Sequence, residues 1–120
     1  MGRSYQDLIV WQKAMGLVTD VYRTTAKFPR DEVYGLTSQV RRAAVSVPSN
    51  IAEGQGRLSE KEFRHFLGLS RGSLMEVETQ LQIAENLGYL EQDETKKILQ
   101  SASEIGKILN GLIASVSKSQ

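Results

Sequence analysis

The chain has 120 residues, 40% hydrophobic and 24% charged, enough to fill one apolar core and too few for two, so a single domain over residues 1–120 is expected. The absence of cysteine excludes a disulfide framework and a thiolate metal site, and no run approaches the roughly 18 apolar residues of a membrane span. A net charge of +1 argues against a nucleic-acid protein that works through bulk charge, although residues 1–58 carry eight Lys/Arg against five Asp/Glu and residues 59–120 carry seven against nine.

The opening MGRSYQ has no apolar signal core, which points to a cytoplasmic chain without a membrane partner. Beyond it Leu8, Trp11, Met15, Val18, Tyr22 and Thr25 step by three and four. They predict a first helix with that stripe inward, Asp7 as its cap, and Phe28 with Pro29 at its close. A second helix is expected from about Asp31 to Arg57, with Leu36, Val40, Ala43 and Val47 on its seam. The next two seam positions fall on Asn50 and Gly54, so the stripe turns polar. Pro48 sits at this break, where it removes one helical hydrogen bond and crowds the carbonyl of Ala44, predicting a kink or a local loosening.

Ser59 and Glu62 read as the capping box of a third helix, with Phe63, Phe66 or Leu67, Ser70, Leu74, Val77, Leu81 and Ala84 as its seam and Gly88 as its C-cap glycine. A fourth helix starts near Asp93 and carries Ile98, Ala102, Ile105, Leu109, Leu112 and Val116, with the terminal SKSQ expected to fray. Connections of a few residues make successive helices antiparallel, so an all-α, up-down-up-down four-helix bundle follows. Two long hairpins that complete their cores only in an oligomer are the alternative. Ile9, Val10, Leu17, Ile83 and Ile113 lie off these seams and would widen the apolar faces toward a homo-oligomer.

A turn near Leu58 would place residues whose numbers sum to about 117 opposite one another on the second and third helices. Ala43, Ala44, Ser46 and Ser49 then face Gly68, Ser70, Gly72 and Ser73, where two backbones can approach closely. The same register brings Glu53 near Arg64 and Arg41 or Arg42 near Glu76, and lets Asn50 answer backbone groups freed by Pro48. Pro48, Asn50, Glu53 and Glu76 are therefore read as a structural polar network that fixes register and oligomer state. The competing reading is a ligand or catalytic pocket of Asn50, Glu53 and Arg64, in which a carboxylate beside an arginine stays ionised and makes a poor general acid.

Glu62 and His65 form one ExxH, the spacing used by di-iron bundles, but such sites need two of these motifs and His65 is the only histidine. No metal site, cofactor or catalytic set is expected. Gly54 and Gly56 lack the ending of a phosphate loop and read as a helix terminus. Arg57, Lys61, Arg64 and Arg71, with Arg41 and Arg42 across the interface, offer a basic surface. In one copy it is an ordinary solvated face; repeated around a ring it would track a phosphate backbone.

The segment VRRAAVSVPSNIAEGQGR, followed by EKEFRHFLGLSRGSLMEVE, resembles the signature of the bacterial four-helix-bundle family found as open reading frames in intervening sequences of large-subunit ribosomal RNA genes. LIVWQKAM, FPRDEVYGLTSQVRR and AENLGYL are similar as well, so the resemblance runs from about Tyr5 to Val116. It implies a four-helix bundle, assembly as a closed homopentamer, and kinship with the basic accessory subunit that works with a reverse transcriptase in diversity-generating retroelements. Three readings stand: a non-catalytic oligomer that binds structured RNA or a nucleic-acid enzyme, a homo-oligomeric interaction scaffold, and an enzyme.

Overall fold

The computed structural model describes residues 4–118. Four helices follow one another: α1 (Ile9–Thr25), α2 (Leu36–Gln55), α3 (Glu60–Asn86) and α4 (Gln92–Lys118), with short 3-10 turns at Tyr5–Asp7 and Arg30–Glu32. No strand occurs among the described residues. Helix α2 packs on α3, α3 on α4, and α1 on both α2 and α4, in a body of 46 × 23 × 20 Å. No helix among the described residues is long and apolar enough to cross a membrane.

Helix α1 corrects the sequence reading. Its buried residues are Val10, Ala14, Leu17, Val21 and Thr25, whereas Met15 and Tyr22 of the expected seam are each 43% exposed. The chain carries two interleaved apolar stripes about 100° apart around the helix, one residue step. The buried one has small Ala14 at its middle, which lets α1 approach its neighbours; Trp11 and Tyr22 bring large amphipathic rings better suited to the margin. Val10 and Leu17 thus belong to the core and leave the set of residues that argued for an oligomer, while Ile9 at 63% and Ile83 at 42% exposure stay on the surface. Asp7 does not cap α1 either: it lies in the preceding 3-10 turn, and the N-cap position is Leu8, with no side-chain cap.

Helix α2 starts five residues later than expected, at Leu36. Its cap comes from outside: Glu32 Oε1 accepts from the Leu36 N–H at 3.0 Å, while Glu32 Oε2 accepts from the Tyr89 hydroxyl at 2.8 Å. One carboxylate therefore ties the α1–α2 connection to the α3–α4 connection, where Phe28 and Tyr89 pack with centroids 5.5 Å apart and Lys27 pairs with Glu94. The helix then runs unbroken through Pro48. Its core stripe does not turn polar, because it passes from Val47 to Ile51 and Gly54 and leaves Asn50 half-buried at its edge.

Helices α3 and α4 match their expected seams. Leu67, Ser70, Leu74, Val77, Leu81 and Ala84 are buried on α3, and Ile98, Ala102, Ile105 and Leu109 on α4. Ser59 Oγ accepts from the Glu62 N–H at 3.1 Å as the N-cap. Gly88, at φ 81°, closes α3 with its N–H on Glu85 O, and the Tyr89 N–H reaches Ala84 O, both at 2.9 Å. Of the terminal residues expected to fray, Ser119 and Gln120 lie outside the described residues.

Candidate nucleic-acid interface

The α2–α3 contact is polar at its centre. Ser70 donates its hydroxyl to the Val47 carbonyl at 2.9 Å, a pair whose numbers sum to 117, and Ser46 and Ser73 share a hydroxyl hydrogen bond of 2.8 Å. Asn50 Nδ2 donates to both the carbonyl and the hydroxyl of Ser46, each at 2.8 Å. Of the residues expected to form the polar network, Asn50 bonds at this seam, while Glu53 pairs with Arg57. Asn50 serves the carbonyl of Ser46, not that of Ala44, whose partner Pro48 removes, and the serines do the cross-helix work.

Close backbone approach occurs at Gly54, where an added Cβ would stand 2.7 Å from Phe66 Cβ and 3.1 Å from Phe63 Cδ1. Gly68 and Gly72 do not take that part: a Cβ on either would meet nothing within 4 Å. Gly56 is the helix terminus, its N–H on Ala52 O and Glu53 O at 3.2 Å each, and Gly54 lies inside the helix.

The six basic residues are not brought into one patch. Arg41 turns to α1, its Nε donating to Thr25 Oγ1 at 2.8 Å and its Nη2 to Tyr22 O at 3.2 Å, with the guanidinium 4.5 Å above the Tyr22 ring. It satisfies a carbonyl in the last turn of α1, where positive charge is favoured. Of the six, Arg42 joins Glu76 in a shallow depression of about 490 Å³ with Ser46, Ser73 and Gln80, whose buried Oε1 has no hydrogen-bond partner among the described residues. Arg71 Nη1 donates to Asn110 Oδ1 on α4 at 2.9 Å. Arg64 is exposed on α3.

Glu53, which the expected register sets near Arg64, pairs with Arg57. Arg57 donates through Nη2 to Glu53 Oε2 at 2.7 Å, its Nη1 lies 3.8 Å from Glu62 Oε1, and its guanidinium sits 4.7 Å from the Phe66 centroid. Arg57, Lys61, Glu62, His65 and Phe66 line one depression of about 530 Å³ beside the α2–α3 turn. Sequence reasoning assigned no surface role to Phe66 or His65, nor did it pair Arg41 with Thr25 or Arg71 with Asn110. Those contacts depend on turn geometry and on rotation about each helix axis, which periodicity does not report.

Among the described residues no group of three or more His, Cys, Asp or Glu side chains could hold a metal ion. Glu62 and His65 are both exposed. Glu78 is the carboxyl pushed above its ordinary range, by burial alone. A depression of about 710 Å³ is an open cleft between the end of α3 and the start of α4, lined by residues of mixed charge such as Glu85, Asp93 and Lys96.

Fold and surface define a small all-α, four-helix protein with a polar seam between α2 and α3 and a mixed-charge, aromatic depression beside their turn. Residues 6–111 match the 23S rRNA-intervening sequence protein family, and the chain belongs to that family. No curated protein matches it. The fold is that of a Bacteroides thetaiotaomicron protein of unknown function from the S23 ribosomal protein family, whose crystal structure superimposes with a TM-score of 0.79 at 20% identity, over 88% of this chain and 98% of the other.

Proposed function

We propose that this protein is a non-catalytic, antiparallel up-down-up-down bundle that assembles as a homo-oligomer, a pentamer, in the cytoplasm and binds structured RNA or an enzyme acting on nucleic acid, such as a reverse transcriptase. The family match carries the reading, because the family is named for the 23S rRNA intervening sequence and covers residues 6–111. Lys61 supports it: it is exposed and makes no hydrogen bond or ion pair among the described residues, so its charge is available to a phosphate. Five copies of Arg42, Arg57, Lys61 and Arg64 would raise a modest local potential to one that steers a polyanion.

A salt series of fluorescence anisotropy on a structured RNA, a single strand and a DNA duplex tests it. Log K should fall with log salt at a slope of about −0.7 to −0.9 per phosphate contacted. Joint replacement of Arg57 and Lys61 by Gln should lower that slope, while Lys107→Gln on α4 leaves it unchanged. Absence of binding to all three at about 50 mM salt rejects the reading. Sedimentation equilibrium reporting a 13.4 kDa species rejects the oligomer.

A second reading, a homo-oligomeric scaffold with no nucleic-acid role, draws on a different observation. Met15, Tyr22, Leu69, Met75 and Ile83 are exposed apolar side chains on α1 and α3, and Arg41 and Arg71 are engaged within the chain. A stable oligomer that binds no nucleic acid would favour it.

A further inference from the structure

Three flat side chains converge beside the α2–α3 turn. The Arg57 guanidinium lies over the Phe66 ring at 4.7 Å, and the His65 ring meets Phe66 edge-on at 5.5 Å with planes 75° apart. Arg57 is steadied from two sides by Glu53 and Glu62, yet its side chain stays 40% exposed. With Lys61 and Glu62 these groups line the depression of about 530 Å³.

Local charge decides what such a surface suits. Of the lining side chains Arg57 and Lys61 are cationic and Glu62 is anionic, and Glu53 pairs with Arg57 from outside the lining, so little charge is left with which to collect bare phosphate, and an acidic peptide would meet the Glu62 carboxylate. A flat, uncharged ring system has the opposite fit, because aromatic, imidazole and guanidinium planes all stack on a nucleobase. Lys61, exposed and without a hydrogen bond or ion pair among the described residues, can then reach the phosphate next to that base.

We propose that this depression holds an unpaired nucleobase of RNA, stacked on the Arg57 guanidinium that overlies Phe66, with the edge-on His65 ring bounding the site and Lys61 on the adjacent phosphate. The proposal deepens the nucleic-acid reading above and rests on it. It adds a preference for bulged or single-stranded positions that a basic rim alone would not have.

The test uses the intact protein and three labelled RNA hairpins: one with a single 2-aminopurine bulge, one with an abasic residue at that bulge, and one fully paired. Loss of the base should weaken binding about tenfold, within the range of one stacking contact. The 2-aminopurine emission should be quenched on binding. Phe66→Leu and His65→Ala should each shrink the difference between base and abasic RNA while leaving the salt slope unchanged, and Phe66→Tyr should retain it. His65 is exposed, so its variant keeps the test valid if Phe66→Leu loosens the contact with Gly54. Equal affinity for base, abasic and paired RNA, without quenching, overturns the proposal and leaves the nucleic-acid reading standing. No binding to any hairpin overturns both, as does saturable binding of an oligoglutamate peptide with RNA inert.

Discussion

The hydroxyl of Ser70 on α3 donates to the carbonyl of Val47 on α2 at 2.9 Å, on the peptide that enters Pro48. Ser70 is fully buried, so its hydroxyl must find a partner inside the protein, and this backbone oxygen is the one it has. The bond sets the axial position of α3 against α2. Ser70→Ala should cost about 0.5–1.5 kcal/mol, since Val47 O keeps its place in the helix ladder and no polar group is stranded. Urea denaturation measures the change; an unaltered midpoint would show that apolar packing alone holds the register.

Asn50→Leu should be destabilising by about 1 kcal/mol, because it removes two donations to Ser46 and leaves the Ser46–Ser73 pair without its third member. Melting followed by circular dichroism, together with the oligomer's sedimentation, reports it. An identical melting temperature and assembly would mean Asn50 is only tolerated there.

Gly54 and Gly72 should respond in opposite directions to alanine. At Gly54 the new Cβ would meet Phe66 Cβ at 2.7 Å, and overpacking of this kind costs about 1–3 kcal/mol. At Gly72 the Cβ meets nothing, so Gly72→Ala should stabilise the helix by up to about 1 kcal/mol. Denaturant midpoints of the two variants check the sign. A loss at Gly72 would place a partner against that face.

The Glu32–Tyr89 tie should make stability fall at both ends of the pH scale. Glu32 is held below its usual 4.5 by the Leu36 N–H and then by the Tyr89 hydroxyl, so its contribution is present above about pH 4.5 and is lost as pH drops through the lowered folded value. Tyr89 is pushed above 10.0 by its bond to Glu32, by burial and by the nearby carboxylates. Its contribution is complete below about pH 10 and fades as pH rises through the folded value. Glu32→Gln should flatten the acid limb and Tyr89→Phe the alkaline limb of a stability–pH curve. Unchanged limbs would sink the account.

Arg41 should behave as a structural residue. Arg41→Lys keeps the charge but loses the planar group that reaches Thr25, the Tyr22 carbonyl and the Tyr22 ring together, so stability should fall by about 1–2 kcal/mol. The salt slope of RNA binding should not change. A reduced slope would return Arg41 to the nucleic-acid surface.

Helices α3 and α4 were legible in their main seams, since each carries a continuous apolar stripe at helical spacing, and the Ser59 cap and Gly88 turn rest on local chemistry that any context would preserve. Helix α1 was legible as a helix but not in its rotation. Two stripes compete on it, and only packing against α2 and α4 selects Val10, Ala14, Leu17 and Val21 over Trp11, Met15 and Tyr22. The start of α2 was misplaced because its cap is Glu32, held from the far end of α3 by Tyr89 through a contact between residues 57 positions apart. The basic residues followed the same division. Their number and spacing belong to the sequence, but which guanidinium caps a helix, which bonds α4 and which lies over Phe66 was decided by the tertiary structure, because a long flexible side chain goes where neighbouring elements offer it acceptors.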